Sequence, residues 1–286
     1  MRAVTAQGRP VNRWAWGVAG LVAAAALAIP GTYLITMAGV PGQFARPTVV
    51  TIRTVTVAQP VTSLTVGDFG GQVRVTAGPV SRVQITERLS YDQGDNPPAV
   101  DESVTGGRLT LRDPACGNSD CDVDFTVTVP SAVSVTVDTQ GGPAVISGVA
   151  GTTVDSGGGP VGITQVTGPL TVRTGGGPLI TNDVAGPIRA DTSGGALTAR
   201  GVTAATASLS TGGGPAQVVF AAAPDTVTLS TDGGPATLRL PGGPYALTAD
   251  SDGGPELIGI ATDPAARASI RVTSGGGPIL VSAAAP

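Results

Sequence analysis

The sequence predicts an all-β chain: a β-solenoid of about eight rungs of 17–23 residues, preceded by an irregular β cap and an N-terminal transmembrane helix. Three observations predict it. Gly-Gly-Pro recurs at a period near 20 residues. The columns of the aligned repeat alternate apolar and polar. An uncharged apolar stretch follows three arginines at the N-terminus. A fixed period of this length signals an array of stacked units, none of which buries its apolar face alone.

The Gly-Gly-Pro repeat is the strongest of the three signals. Its third position falls at Pro143, Pro160, Pro178, Ala196, Pro215, Pro235, Pro255 and Pro278, giving steps of 17, 18, 18, 19, 20, 20 and 23 residues. Four residues earlier stands Ser or Thr in every unit: Thr139, Ser156, Thr174, Thr192, Thr211, Thr231, Ser251 and Ser274. Six residues earlier the column is apolar from the second unit on (Val154, Val172, Ala190, Leu209, Leu229, Ala249, Val272), and the residue before each of these is polar. That is period two, a strand with one buried face. Three and six residues after the Pro come apolar positions again, such as Ile146 and Val149, Ile163 and Val166. Each unit therefore reads as strand, Gly-rich corner, strand, second turn. Stacked at about 4.8 Å per rung, eight units make a rod of roughly 35–40 Å. The Gly pairs are expected to supply positive φ at the corners. The Pro suits a corner because its missing N–H would break a ladder at a strand centre. With 43 Gly, 24 Pro and only 3% aromatic residues, the packing falls to Val, Ile, Leu, Ala and Thr.

Five segments follow from this reading: a cytoplasmic N-terminus over 1–13, a membrane helix over 14–40, a linker over 41–54, a cap over 55–140 and the repeats over 141–286. The span 14–40 is long enough to cross a bilayer as a helix. Arg2, Arg9 and Arg13 precede it with no acid upstream, which places the N-terminus inside. Trp14 and Trp16 sit at interfacial depth. The alternative is a signal peptide cleaved at Ala26-Leu27-Ala28, but Pro30 and ten further apolar residues favour an uncleaved signal anchor. In the cap, strands are predicted over 49–57, 61–66, 72–77, 82–91, 108–112, 122–129 and 133–137, with a loop at 92–98. Such a cap hides the open edge of the first rung.

Composition removes several chemistries. There is no His, and all 16 basic residues are Arg. Ser-His-Asp and Cys-His triads, His-ligated metals, Schiff-base lysines and P-loop lysines are excluded. From Asp68 onward stand all 20 acids against 11 Arg, so the exported part is acidic and carries no nucleic-acid footprint. Cys116 and Cys121 are the only cysteines. In an oxidising compartment they are expected to form a local disulfide. A redox pair would need closer spacing and a nearby base. Asp120, Asp122 and Asp124 alternate, so they would share one strand face, where oxygen ligands suit Ca²⁺. A solvated strand face beside a disulfide is the preferred reading, because an EF-hand loop needs Gly and Glu at set positions that are missing here, so no metal is expected. The Gly-rich units lack the Asp of the calcium-binding nonapeptide. Asp155, Asp191, Asp232, Asp250 and Asp252 gather near the corner column; they read as solubility and edge protection, or as a site for cations or a basic partner. A carbohydrate-active enzyme would need paired carboxylates in a cleft, which this pattern does not signal. No catalytic residue and no cofactor is assigned.

The N-terminal anchor, the Cys116/Cys121 pair before the strand at 122–130, and the Gly-Gly turns from Gly141 to Gly277 resemble a bacterial family labelled "putative adhesin", which is described as β-strand-repeat-containing. The resemblance covers about residues 55–285, and its motifs are compositional and periodic. Relatives more often use Gly-Ser-Gly-Asp-type corners where this chain has Gly-Gly-Pro. The resemblance implies a membrane-anchored extracytoplasmic β-solenoid acting as an adhesin or binding module at the cell envelope, for a protein or a glycan. The alternative is a structural or sensory ectodomain that self-associates through an exposed final rung at 279–282.

Overall fold

The computed structural model describes residues 33–34, 46–68, 70–113 and 121–284. The expected membrane helix over 14–40 lies outside the described residues, apart from Tyr33–Leu34. Those two form a short strand, β1, paired antiparallel with Val49 and Val50. Among the described residues no helix is long and apolar enough to cross a membrane.

The fold is all-β, as the sequence predicts. The first third holds β2 (Thr48–Thr56), β3 (Ser63–Asp68), β4 (Val73–Gly78), β5 (Gln84–Asp92), β6 (Asp101–Thr105), β7 (Arg108–Arg112) and β8 (Asp122–Pro130). The middle holds β9 (Ser134–Thr139), β10 (Ala144–Ser147), β11 (Gly151–Ser156), β12 (Val161–Val166), β13 (Leu170–Thr174), β14 (Leu179–Val184), β15 (Ile188–Thr192) and β16 (Leu197–Val202). The last third holds β17 (Thr206–Thr211), β18 (Ala216–Phe220), β19 (Thr226–Thr231), β20 (Ala236–Leu240), β21 (Ala246–Asp250), β22 (Glu256–Gly259), β23 (Ser269–Ser274) and β24 (Ile279–Ala283). They make two large mixed sheets, one of 13 strands and one of 11. Inward side chains of both belong to a single apolar cluster.

Each repeat contributes one strand to each sheet, and successive repeats pair in parallel as far as β19 and β20. In the 13-stranded sheet the residue after the corner Pro aligns from unit to unit: Ala144 with Val161, Val161 with Leu179, Leu179 with Leu197. The sequence columns are thus the ladder register. The Ser/Thr column is buried throughout, and its hydroxyls close the corner. Thr174 Oγ1 donates to the Gly177 carbonyl at 2.9 Å and Thr192 Oγ1 to that of Gly195 at 2.7 Å. Thr139, Ser156, Thr211, Thr231 and Ser251 repeat the bond three residues on. A buried hydroxyl needs such a partner.

The glycine pairs supply the expected positive φ in some corners and serve a second purpose besides. Positive φ occurs at the first glycine of only the last four pairs (Gly213, Gly233, Gly253 and Gly276). In the earlier corners the second glycine matters because rungs stack closely. A Cβ on Gly177 would overlap the carbonyl of Gly159, and one on Gly195 that of Gly177. Left-handed backbone appears instead at the second turn, at Gly148 (φ 75°), Gln165 (56°), Asp183 (57°) and Gly201 (63°). Each precedes a fully buried valine (Val149, Val166, Val184, Val202). A bulge-like residue there flips the two-residue alternation, which is why the inward positions fall three residues apart.

The region before 134 departs from a separate irregular cap. β3 and β4 pair in parallel with β9 and β10, with Gly70-Gly71 at the corner. β7 and β8 pair in parallel on the other side of β3 and β4. Both segments therefore occupy repeat positions. Antiparallel β5, β2 and β1 finish one sheet there, and β6, absent from the predicted strands, finishes the other.

At the C-terminal end the expectation is corrected. Segment 279–282 lies in β24, which is not exposed: it pairs with β20 on one side and β22 on the other. Likewise β23 lies between β19 and β21. The end of the array is the preceding unit, β21 and β22.

Candidate functional site

The outer face of the 11-stranded sheet is polar along its whole length. Apart from Gly67, Gly151 and Ala246, its outward positions carry Thr, Ser, Asp or Arg. The 13-stranded sheet differs, exposing Ile52, Ile180 and Leu257. Alternation puts the polar residues outside. Parallel register then stacks them in rows, such as Thr136, Thr153 and Thr171. Ten strand steps make this face about 48 Å long.

Three shallow hollows mark it. In the first, Gly67 stands between Arg112 and Asp138 in register, so a side chain is missing from the row. A cavity of about 260 Å³ results, lined by Thr65, Arg112, Asp113, Asp138 and Gln140 with the backbone around Val66 and Gly67. The second, about 300 Å³, gathers Asp232, Asp250 and Asp252 with Ser230 and Thr273. The third, about 360 Å³, lies next to it, between Asp191, Ser193, Ser210 and Asp232. Of the corner acids singled out in the sequence, four therefore meet in two neighbouring hollows. Asp155 does not join them, because Arg173 stands between it and Asp191 in the row. The Ser210 hydroxyl donates to Asp191 Oδ2 at 2.9 Å.

Asp122 and Asp124 share one outward face of β8, as alternation requires, and Asp120 lies outside the described residues. Asp124 has structural duties. Its Oδ1 accepts the Gln72 amide at 2.8 Å and its Oδ2 pairs with Arg88 at 3.1 Å. Partial burial, then the charge of Asp124, push the Asp122 carboxyl up from the usual range. Among the described residues no group of three or more His, Cys, Asp or Glu is placed to hold a metal. Cys121 is disulfide-bonded, and Cys116 lies outside the described residues.

One charged cluster escaped the sequence reading. Glu87 on β5 is fully buried beside Arg53 of β2, at 3.5 Å, and Arg53 also pairs with Glu102 of β6. Arg53 thus ties the two sheets together at the N-terminal end. Burial pushes the Glu87 carboxyl up to about 7, against the opposing pull of Arg53. The signal was present: Ile85, Glu87 and Leu89 alternate, so Glu87 occupies an inward position. The hollow at Gly67 also went unread, because its walls come from segments far apart in the chain.

No protein-family model and no curated protein matches this sequence. Solved structures do. A protein named "putative adhesin" from Parabacteroides distasonis superposes with a TM-score of 0.55 at 14% identity, covering 81% of this chain and 96% of that one. One named "putative lipid binding protein" from the same organism gives 0.50 at 11%, covering 80% and 96%. Another named "putative adhesin", from Bacteroides fragilis, gives 0.49 at 14%, covering 82% and 96%. At these identities the likeness is one of fold.

Proposed function

We propose that this chain is an adhesin-like binding module of the cell envelope, and that its repeats wind as a β-solenoid displaying the polar face of the 11-stranded sheet to a protein or glycan. The observation that carries the reading is that face: about 48 Å of in-register Thr, Ser, Asp and Arg, with no exposed large apolar side chain. Regular rows of hydroxyls and charges suit an extended polar partner contacted at many weak points. The part of segment 14–40 that precedes β1 serves as an uncleaved anchor, with the N-terminus cytoplasmic and the repeats extracytoplasmic. The adhesin name of the Parabacteroides distasonis structure supports this use of the fold. The lipid-binding name finds less support, since Asp, Ser and Thr dominate the two hollows around Asp232. The reading assigns no catalysis: the hollows are shallow and open, and the sequence has no histidine or lysine.

The test is binding of labelled protein to intact cells and to purified cell-wall polysaccharide. A variant of the polar face combining Arg112→Ala, Asp138→Ala, Arg189→Ala and Arg271→Ala should lose at least about ten-fold in affinity, the equivalent of about 1.4 kcal/mol. A control on the other sheet, with Arg74→Ala, Arg200→Ala and Arg239→Ala, should keep it. Equal loss in both, or loss in neither, refutes the assignment of the face.

A further inference from the structure

The two ends of the array differ. At the N-terminal end the core is covered: Val55, Val57 and Ile85 are at most 1% exposed. At the other end it is open. Ile258 on β22 occupies the column of Val281 and Leu238, which are fully buried, yet it is 37% exposed because, among the described residues, no strand follows β22 in the sheet. Leu257, on the outer surface, is 66% exposed.

The backbone of β22 is open along the same edge. The Ile279 amide donates to the Pro255 carbonyl at 2.9 Å. In a parallel ladder alternate residues bond to opposite sides. Leu257 and Gly259 therefore turn their amides toward β24, and those of Glu256 and Ile258 point away from the sheet. Of the usual guards against pairing, Glu256–Gly259 has no Pro, Lys or bulge; it is short and carries the inward-facing charge of Glu256, so an added strand must bring the opposite charge to that position.

Charge selects the occupant. Glu256 stands in a column otherwise filled by Ala144, Val161, Leu179, Leu197, Ala216 and Ile279. One of its carboxylate oxygens accepts the Ser251 amide at 2.8 Å. Asp250, Asp252 and Asp263 lie on the same terminal segment, where Arg267 is the only cation. A second copy would bring this acidic end against itself.

We propose that the edge of β22 recruits an extended, basic segment of another protein as an added strand. An arginine or lysine of that segment meets Glu256, an apolar residue covers Ile258, and another lies beside Leu257. Main-chain bonds to the outward amides supply affinity, and the alternating side chains supply selectivity. The inference is independent of the polar face, which lies on the other sheet.

The probe is a fluorescein-labelled peptide, Thr-Ser-Arg-Val-Val-Ser-Thr-Arg, titrated against the full-length chain in detergent micelles by anisotropy. The control peptide carries Glu at both Arg positions. The basic peptide should bind saturably and at least ten-fold more tightly than the control. Ile258→Pro, which removes an outward amide, and Glu256→Lys should each weaken it at least ten-fold. Ile258→Pro is expected to fold, because the edge tolerates proline where no ladder bond is lost. If circular dichroism shows it unfolded, the exposed change Glu256→Lys still decides. Non-saturable binding, equal binding of both peptides, or full binding by Glu256→Lys overturns the proposal. So does concentration-dependent dimerisation in sedimentation that Leu257→Asp abolishes, since the occupant would then be a second copy.

Discussion

Two adjacent glycines should answer the same substitution with opposite signs. Gly194 and Gly195 form the corner between β15 and β16. A Cβ on Gly194 meets nothing within 4 Å, and its φ lies outside the left-handed region. Gly194→Ala therefore removes only freedom of the unfolded chain and should stabilise by about 0.4–1 kcal/mol. A Cβ on Gly195 would lie 2.6 Å from the carbonyl carbon of Gly177 and 2.9 Å from the Gly176 oxygen. Both are backbone atoms of the neighbouring rung, so the corner must move as a whole. Overpacking of this kind costs about 1–3 kcal/mol. Moving Gly195 also strains the bond from buried Thr192 to its carbonyl, about 1 kcal/mol more. The two variants should differ by about 3 kcal/mol, or roughly 6–12 °C in Tm for a domain of this size. Thermal unfolding followed by far-ultraviolet circular dichroism measures both. Shifts in the same direction, or agreement within about 0.5 kcal/mol, a surface-mutation scatter, would refute close stacking as the reason for the second glycine.

Two further outcomes follow from strain and burial. Asp183 holds a left-handed φ of 57° ahead of buried Val184; Asp183→Asn should be neutral, whereas branched Asp183→Val should cost about 1–3 kcal/mol in urea unfolding. Glu87 has its pKa raised from 4.5 to about 7, so the folded state holds its proton more tightly than the unfolded chain does. Stability should therefore be greatest below about pH 4.5 for this group and fall as pH rises toward 7, by an amount on the order of 3 kcal/mol. Glu87→Gln should flatten that part of the stability–pH curve, and an unchanged slope would show that Glu87 does not titrate there.

Some of this was legible in residue order alone. Alternation about Val172, Leu209 and Leu229 gives strands with one buried face, and the residue after each Pro marks the ladder position. The column of Thr139, Ser156 and Thr174 was visible as a column, but its bonds to glycine carbonyls were not. The unit at β3 and β4 matches the columns through Leu64, Val66 and Val75, with Gln72 in place of Pro. The insertion of 79–133 hid it by breaking the period.

The chain's order determined the register of every repeat, because side-chain alternation and the corner residues are local properties that each unit carries within itself. Only the tertiary structure decided which unit lies beside which. Every rung offers nearly the same columns, so the pattern does not say that β23 and β24 slip inside β21 and β22, or that β7 and β8 stack outside β3 and β4. That choice settles where the edge is exposed. It also gathers Arg53, Glu87 and Glu102, and sets Gly67 between Arg112 and Asp138, because strand neighbours bring together residues that lie far apart along the chain.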